Sequence, residues 1–298
     1  MSKITITTCG IVGYGKLGSI LAEAVSKKNR LLWIIDNNKK QRELIYKKFY
    51  KRISIYYKIS NTISIPDIII ISANDSHIEY VAKNLSIVFE NKLKDVWVVH
   101  CSGVLPVSVL SSCEKLGAKT ACIHPFQTFY YPEISVLKNI GWSIETNHNP
   151  QLLQSFITQL GGKPVLLPYG NKQIKVLHHL SAVFASNFLS TVLAGAGSLE
   201  EMSGMNRKDF LPQIIDTTIR NNFKSLSKSE KIPLTGPIAR ADVITIKTHL
   251  KSLSNHRTLR NTYIYLSLAT LETAKHYRII NKQKFAEIKE ILLSSLKD

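Results

Sequence analysis

Short apolar runs rich in β-branched residues alternate with amphipathic segments through the first half of the chain, and this alternation predicts parallel strands joined by helices. Strands are expected at residues 4–12, 31–35, 68–72, 96–100, 120–123, 142–145 and 163–167. Between them, 15–27 places Leu17, Ile20, Leu21 and Val25 on one helical face, and 77–89 does the same with Ile78, Val81, Ala82 and Leu85. After Pro168-Tyr169-Gly170 the strand signal stops, and segments of helical period follow at 172–201, 209–225, 239–254, 257–277 and 281–296. Pro233-Leu234-Thr235-Gly236-Pro237 interrupts them, because its prolines and glycine do not continue a helix. The pattern predicts an α/β fold: a Rossmann-type, doubly wound parallel sheet over 1–169, then an all-helical domain over 170–298. A length of 298 residues with 44% hydrophobic composition is ample for two cores.

Charge and composition narrow the partners. Lys and Arg number 39 against 21 Asp and Glu, a net charge of +18. The basic residues are dispersed, with only short runs such as Lys47-Lys48 and Lys51-Arg52, while Ile, Lys and Asn are abundant throughout. This is a drift in composition rather than the clustered footprint of a nucleic-acid binder, so no nucleic-acid partner is expected. Cys9, Cys101, Cys113 and Cys122 form no Cys-x-x-Cys pair and no zinc spacing, which predicts reduced thiols, no metal and a cytoplasmic protein. Met1-Ser2-Lys3 leads straight into an apolar strand, and no export signal is expected. Residues 176–199 carry no Asp, Glu, Lys or Arg and are long enough to span a bilayer. They also carry His178, His179, Ser181, Ser186, Asn187, Ser190, Thr191 and Ser198, a polar load that hydrocarbon penalises, so a helix buried inside a domain or a dimer is expected instead.

The clearest chemical motif is Gly13-Tyr14-Gly15-Lys16-Leu17-Gly18, which follows the first strand and opens an amphipathic helix. In that context the first glycine permits the tight turn, the second admits a pyrophosphate to the backbone, and the third lets helix and strand pack closely. The helix N-terminus offers unpaired N–H groups and partial positive charge to the phosphates. Asp36, at the end of the second strand, is placed to accept hydrogen bonds from ribose hydroxyls, which favours NAD. Asn37, Asn38, Lys39 and Lys40 follow it and supply an amide and cations suited to the 2′-phosphate of NADP. Asp36-Asn37-Asn38 is equally good turn chemistry. NADP or NAD is therefore the expected cofactor.

Open α/β sheets bind ligands at the carboxyl ends of their strands. Asn74, Asp75, Ser76 and His77 follow one strand, His100-Cys101-Ser102-Gly103 closes the next, and His124-Pro125-Phe126-Gln127 follows another. Asn74 and Asp75 are assigned to the cofactor, with an N-cap as the alternative for Asp75. Ser102, Gly103, His124 and Gln127 are assigned to the substrate. On the helix after Gly170, Lys175 and His179 share a face one turn apart, with Asn187 about two turns further on.

This helix resembles that of the β-hydroxyacid dehydrogenases, in which a lysine and, four residues later, an amide face the nicotinamide; His179 stands where the amide would be. Lys175–Asn187, the loops 100–103 and 124–129, and Leu234-Thr235-Gly236-Pro237-Ile238-Ala239-Arg240 together resemble bacterial two-domain proteins that join a Rossmann-like domain to a C-terminal domain of unknown function. That resemblance spans nearly the whole chain. It implies a fold akin to 6-phosphogluconate dehydrogenase and pyrroline-5-carboxylate reductase, C-terminal helices that form a homodimer, and NADP-dependent oxidoreductase activity. Three positions depart from the group: Arg240-Ala241-Asp242 where Arg-Gly-Asp is usual, His178 where Tyr is usual, and Asp36 where Ser-Arg is frequent.

Hydride transfer requires a group for the coupled proton, the cofactor supplying the redox chemistry. Lys175 is the first candidate, because an apolar pocket lowers a lysine pKa, and His179 is the second. Ser102 would position the substrate oxygen or nitrogen, and Arg240 and His249 would bind a substrate carboxylate. The substrate is expected to be a small carbonyl, imine or hydroxy acid. The alternative function is a non-catalytic dinucleotide sensor or scaffold.

Overall fold

The fold comes from a computed structural model that describes residues 6–28, 30–228 and 232–296. Its strands are β1 (Cys9–Val12), β2 (Leu31–Ile35), β3 (Ser54–Tyr56), β4 (Ile68–Ile71), β5 (Trp97–His100), β6 (Lys119–Pro125), β7 (Gly141–Glu145) and β8 (Lys163–Leu166). They form one eight-stranded sheet in the order β3-β2-β1-β4-β5-β6-β7-β8, with strand order reversing between β1 and β4. Of the strand expected at 4–12, Ile4 and Thr5 lie outside the described residues, as do Met1, Ser2 and Lys3.

The inner strands of the sheet are buried on both faces. Ile68 and Ile70 of β4 face one cluster with α1 (Lys16–Ser26) and α2 (Lys39–Phe49), while Ile69 and Ile71 face the other with α3 (Asp75–Phe89). Strands covered on both sides must be apolar at every position, which explains why they read as continuous β-branched runs. A short α4 (Ser111–Glu114) packs on the α3 face, and α5 (Gln151–Gln159) packs on the α1 face through Leu153, Phe156 and Ile157. Four elements, β3, α2, α4 and α5, were not expected from the sequence pattern, and β3 and α2 show why. The former has three residues, and the latter buries only Ile45 and Phe49.

The sheet is mostly, not wholly, parallel: β7 runs antiparallel to β6, and β8 is parallel to β7. A parallel pair needs a crossover element to return the chain to the starting edge. Between β6 and β7 the chain offers only a short 3₁₀ turn, Ile134–Leu137, so the next strand comes back in the opposite sense.

From Lys172 the chain is helical: α6 (Lys172–Ala182), a π-helical segment Val183–Phe188, α7 (Leu189–Met202), α8 (Arg207–Lys228), α9 (Val243–Ser252), α10 (Arg257–His276) and α11 (Lys282–Ser294). By compactness the chain divides into two units after Leu189, so α6 and the π segment belong with the sheet. In the second unit, Ile246, Leu250, Ile264, Leu271, Ile288 and Leu292 of α9, α10 and α11 make a separate core. Ala241, where the resembling group has glycine, sits at φ +56°, in the left-handed region that a β-carbon disfavours.

The helix Lys172–Ser203 is long and apolar enough to cross a membrane by length and composition, at a mean hydropathy of 1.4. The expectation that it is buried inside a domain is not met: only 6% of its most apolar stretch is buried within the chain. Its apolar composition reports that a face is to be covered, and Lys175 and Gly197 are the positions the chain itself covers.

Candidate active site

The glycine loop is built as the motif requires. Gly13 has φ +98°, and a β-carbon there would meet the Ala73 nitrogen at 3.0 Å. At Gly18 a β-carbon would stand 2.1 Å from the Gly13 carbonyl oxygen, so glycine alone lets α1 pack on the loop. Gly15 differs from both: a β-carbon would meet nothing within 4 Å. It is the N-cap of α1, and no cap side chain takes the first-turn N–H groups. A crevice of about 610 Å³ runs from this loop past Asp36, Asn37 and Asn38 to Tyr57, Lys58, Ser72, Ala73 and Asn74. It lies at the carboxyl ends of β1, β2 and β4, where the strand order reverses. Tyr57 and Lys58 could not be assigned from the sequence because they follow the three-residue β3.

Asp36 makes the turn contacts its sequence allowed. Its Oδ2 accepts from the Tyr14 backbone N–H at 2.7 Å and its Oδ1 from the Asn38 N–H at 2.8 Å, which ties β2 to the glycine loop. A carboxylate has about four lone-pair sites, so capacity for ribose hydroxyls remains on a group that lines the crevice. Asn38 caps α2, and Arg42 donates to the Asp36 carbonyl at 2.8 Å. Of the other expected cofactor residues, Asn37 and Asn74 line the crevice, whereas Lys16, Leu17, Gly18, Lys39 and Asp75 do not. Lys16 points its ammonium over the Tyr130 ring, 5.0 Å from the centroid.

A second cluster forms further along the same sheet. His100, Cys122 and Glu145 stand in one register row across β5, β6 and β7. Lys175 reaches this row from α6: its Nζ donates to Glu145 Oε2 at 2.8 Å and to the Leu105 carbonyl. Both side chains are 4% exposed. An ammonium has three donors, and this pair of acceptors takes two. Glu145 was legible only as a strand residue, since nothing in its spacing links it to Lys175.

Ser102 is saturated. Its hydroxyl donates to Asp75 Oδ2 at 2.8 Å and accepts from the N–H groups of Val104 at 3.2 Å and Leu105 at 3.0 Å. One donor and two lone pairs are thereby spent on shaping the turn. Asp75, the alternative N-cap, is instead this serine's acceptor, and the Asn74 cap makes no side-chain bond.

Three histidines surround the turn. Buried His100 accepts the Ser102 N–H on Nδ1 at 3.2 Å, and burial, then the Lys175 charge, lowers its pKa to about 3. His124 donates from Nδ1 to the Cys101 carbonyl at 3.0 Å; burial lowers its pKa to about 4, with a smaller effect from His179. His179 packs edge-on against His124, with centroids 5.6 Å apart. A β-carbon on Gly103 would strike His179 Nδ1 at 2.3 Å, so this glycine gives room to the imidazole. His178 stacks on Phe126 at 4.4 Å, and burial lowers its pKa.

Other expected site residues lie apart from this cluster. Gln127 is exposed and its Oε1 accepts from the Thr128 N–H at 2.8 Å. Asn187 lies in the π segment. Arg240 and His249 belong to the second unit, where His249 Nδ1 pairs with the Tyr263 hydroxyl at 3.1 Å and Asp242 caps α9.

Residues 8–103 match the family described as NADP oxidoreductase, coenzyme F420-dependent, and residues 140–270 match a domain of unknown function, DUF2520. The chain joins an NADP-oxidoreductase-type domain to a DUF2520 domain. No curated protein matches it. Among solved structures, the "putative NADP oxidoreductase" of Bacteroides fragilis is similar at a TM-score of 0.73 and 22% identity, over 89% of this chain and 98% of that one. A reductive aminase from Aspergillus terreus, solved with NADPH and ethyl-5-oxohexanoate, is similar at 0.58 and 12% identity, over 98% and 94%. A pyrroline-5-carboxylate reductase from Coxiella burnetii is similar at 0.53 and 14% identity, over 92% and 99%. At these identities the likeness is one of fold. The NADP-oxidoreductase-type match contains the glycine loop, Asp36 and Ser102, and the DUF2520 match contains Glu145, Lys175 and His179.

Proposed function

We propose that the protein is an NAD(P)-dependent oxidoreductase that moves a hydride between a nicotinamide and a small carbonyl, imine or hydroxy-acid substrate. The observation that carries this reading is the open N-terminus of α1 at Gly15, beside a crevice lined by Asp36. Gly13–Gly18 would hold the pyrophosphate, and Asp36 with its neighbours the adenosine ribose. The bound nicotinamide supplies the redox chemistry. The residues of this chain supply the proton and the binding pocket. Lys175 and His179 are the pair assigned to the coupled proton in this reading, with Glu145 and the Leu105 carbonyl holding the Lys175 ammonium in place until it is called on. Gly103 and His124 border the substrate, and Ser102 acts by holding their turn. Arg240 and His249 are the groups of the second unit assigned to a substrate carboxylate, and the helical half, residues 170–298, is assigned the substrate and dimerisation roles. Four free, buried thiols fit a cytoplasmic setting.

Titrating the protein with NADPH and with NADH, followed by nicotinamide fluorescence, tests the reading. Micromolar binding is expected, and Gly15→Asp should weaken it at least ~100-fold, since a carboxylate would occupy the phosphate position. The open space at Gly15 predicts an unchanged melting temperature for that variant. Absence of binding by either nucleotide would overturn the proposal.

The reading includes a homodimer. Val192 and Leu199 of α7, with Phe210, Ile214 and Phe223 of α8, are exposed along two long helices of the second unit. An apolar surface of that extent marks an association site, and a second copy carries the same surface to cover it. Sedimentation at micromolar concentration is expected to give a dimer, and Phe223→Glu a monomer; a wild-type monomer would refute this part.

A further inference from the structure

His179 Nδ1 and His124 Nε2 are both buried, and neither has a hydrogen-bond partner among the described residues. Both lie within 3.0 Å of the single point where a β-carbon on Gly103 would stand. The His124 tautomer follows from its other nitrogen. A carbonyl oxygen only accepts, so the Nδ1 that faces the Cys101 carbonyl carries the proton. In a neutral ring that leaves Nε2 as a lone pair, and burial keeps this ring neutral down to about pH 4. A buried lone pair and an unassigned buried ring nitrogen thus converge over one glycine, and buried polar groups of this kind are almost always satisfied.

We propose that His124 is a positioning residue for His179: its Nε2 accepts the His179 Nδ1 proton, completing a chain from the Cys101 carbonyl through His124 to His179. With the ring centroids 5.6 Å apart, the bond forms when the rings turn these two nitrogens toward each other over Gly103. The second hydrogen bond fixes the His179 tautomer, leaving Nε2 as the unprotonated nitrogen and the one available to a ligand. His179 is only half-buried, which suits that role. A lone pair at Nε2 selects a hydrogen-bond donor, so the substrate group it meets is a hydroxyl or a protonated imine N–H rather than a carboxylate. On proton transfer from a hydroxyl, the O–H bond breaks and the Nε2–H bond forms. The resulting imidazolium keeps its Nδ1–H on His124, and the reverse transfer returns the proton. This assignment rests on the oxidoreductase reading for its chemistry, but the tautomer itself does not.

Long-range ¹H–¹⁵N spectra of the full chain labelled on histidine test it, with His179→Asn identifying the His179 signals. At pH 7.5 His179 is expected as the Nδ1–H tautomer, opposite to the Nε2–H form that free histidine prefers. In His124→Phe it should revert to Nε2–H, and in His124→Gln, whose side-chain oxygen still accepts, it should remain Nδ1–H. A wild-type His179 protonated on Nε2 overturns the proposal without reference to any variant, and so does a His179 tautomer unmoved by His124→Phe. NADPH and NADH titrations of the same samples separate this result from the cofactor reading: nucleotide binding with the wrong tautomer refutes the dyad alone.

Discussion

Replacing Glu145 with alanine is expected to destabilise the protein by about 3–5 kcal/mol, because it strands the Lys175 ammonium in an interior with the Leu105 carbonyl and the Cys122 thiol but no countercharge. Lys175→Met should have a comparable effect by leaving the Glu145 carboxylate buried, its remaining recorded partner being the Gly170 N–H at 3.3 Å. The double variant Glu145→Leu/Lys175→Met removes both charges and is expected to recover most of the loss, since an apolar pair of similar volume meets no desolvation penalty. Urea unfolding of the three variants measures this. Losses below about 1 kcal/mol in both single variants would mean that water reaches the pair and that the Lys175 ammonium is mobile. The distinction matters for function, because a lysine held by two acceptors is an orienting charge, while a mobile one is a proton carrier.

The second large effect is expected in acid. His100 and His124 have folded-state pKa values of about 3 and about 4 against an ordinary value of 6.5, both lowered chiefly by burial. Between those values and 6.5 the unfolded chain binds protons that the folded chain refuses, so stability is complete above pH 6.5 and falls as pH drops. At pH 4.5 each histidine should have withdrawn about 2–3 kcal/mol relative to pH 7.5. Unfolding free energies at the two pH values, for wild type and His100→Gln, check this. The variant is expected to show a shallower loss by the amount His100 contributes, and an equal slope would show that His100 is reached by solvent. Asp67, whose pKa is lowered by hydrogen bonds from Thr7 and Thr8 that outweigh its desolvation, adds a smaller acid-labile term to both proteins.

Local pattern alone determined the β-then-α order of the chain, the glycine loop at Gly13–Gly18, the two principal sheet-covering helices and the helical second half. Strands buried on both faces and helices with one apolar stripe write their burial directly into neighbouring residues. The helix carrying Lys175 and His179 was legible for the same reason, since a shared helical face is a matter of spacing within one turn.

Tertiary structure decided what those residues touch. Lys175 meets Glu145, thirty residues away in the chain, because α6 begins beside a strand whose direction is set by the missing crossover between β6 and β7. Ser102 reads as a substrate ligand from its place at a strand end, yet Asp75 and two backbone N–H groups take its entire hydrogen-bonding capacity. Gly103 reads as open backbone, and it proves to be the space that lets two histidines converge. The apolar stretch 176–199 reads as a helix buried in a domain or a dimer, and the chain by itself covers little of the helix that contains it. In each case the deciding quantity is a distance between residues far apart in sequence. Periodicity carries no information about such distances, because it records how much of a residue is buried and not which group buries it.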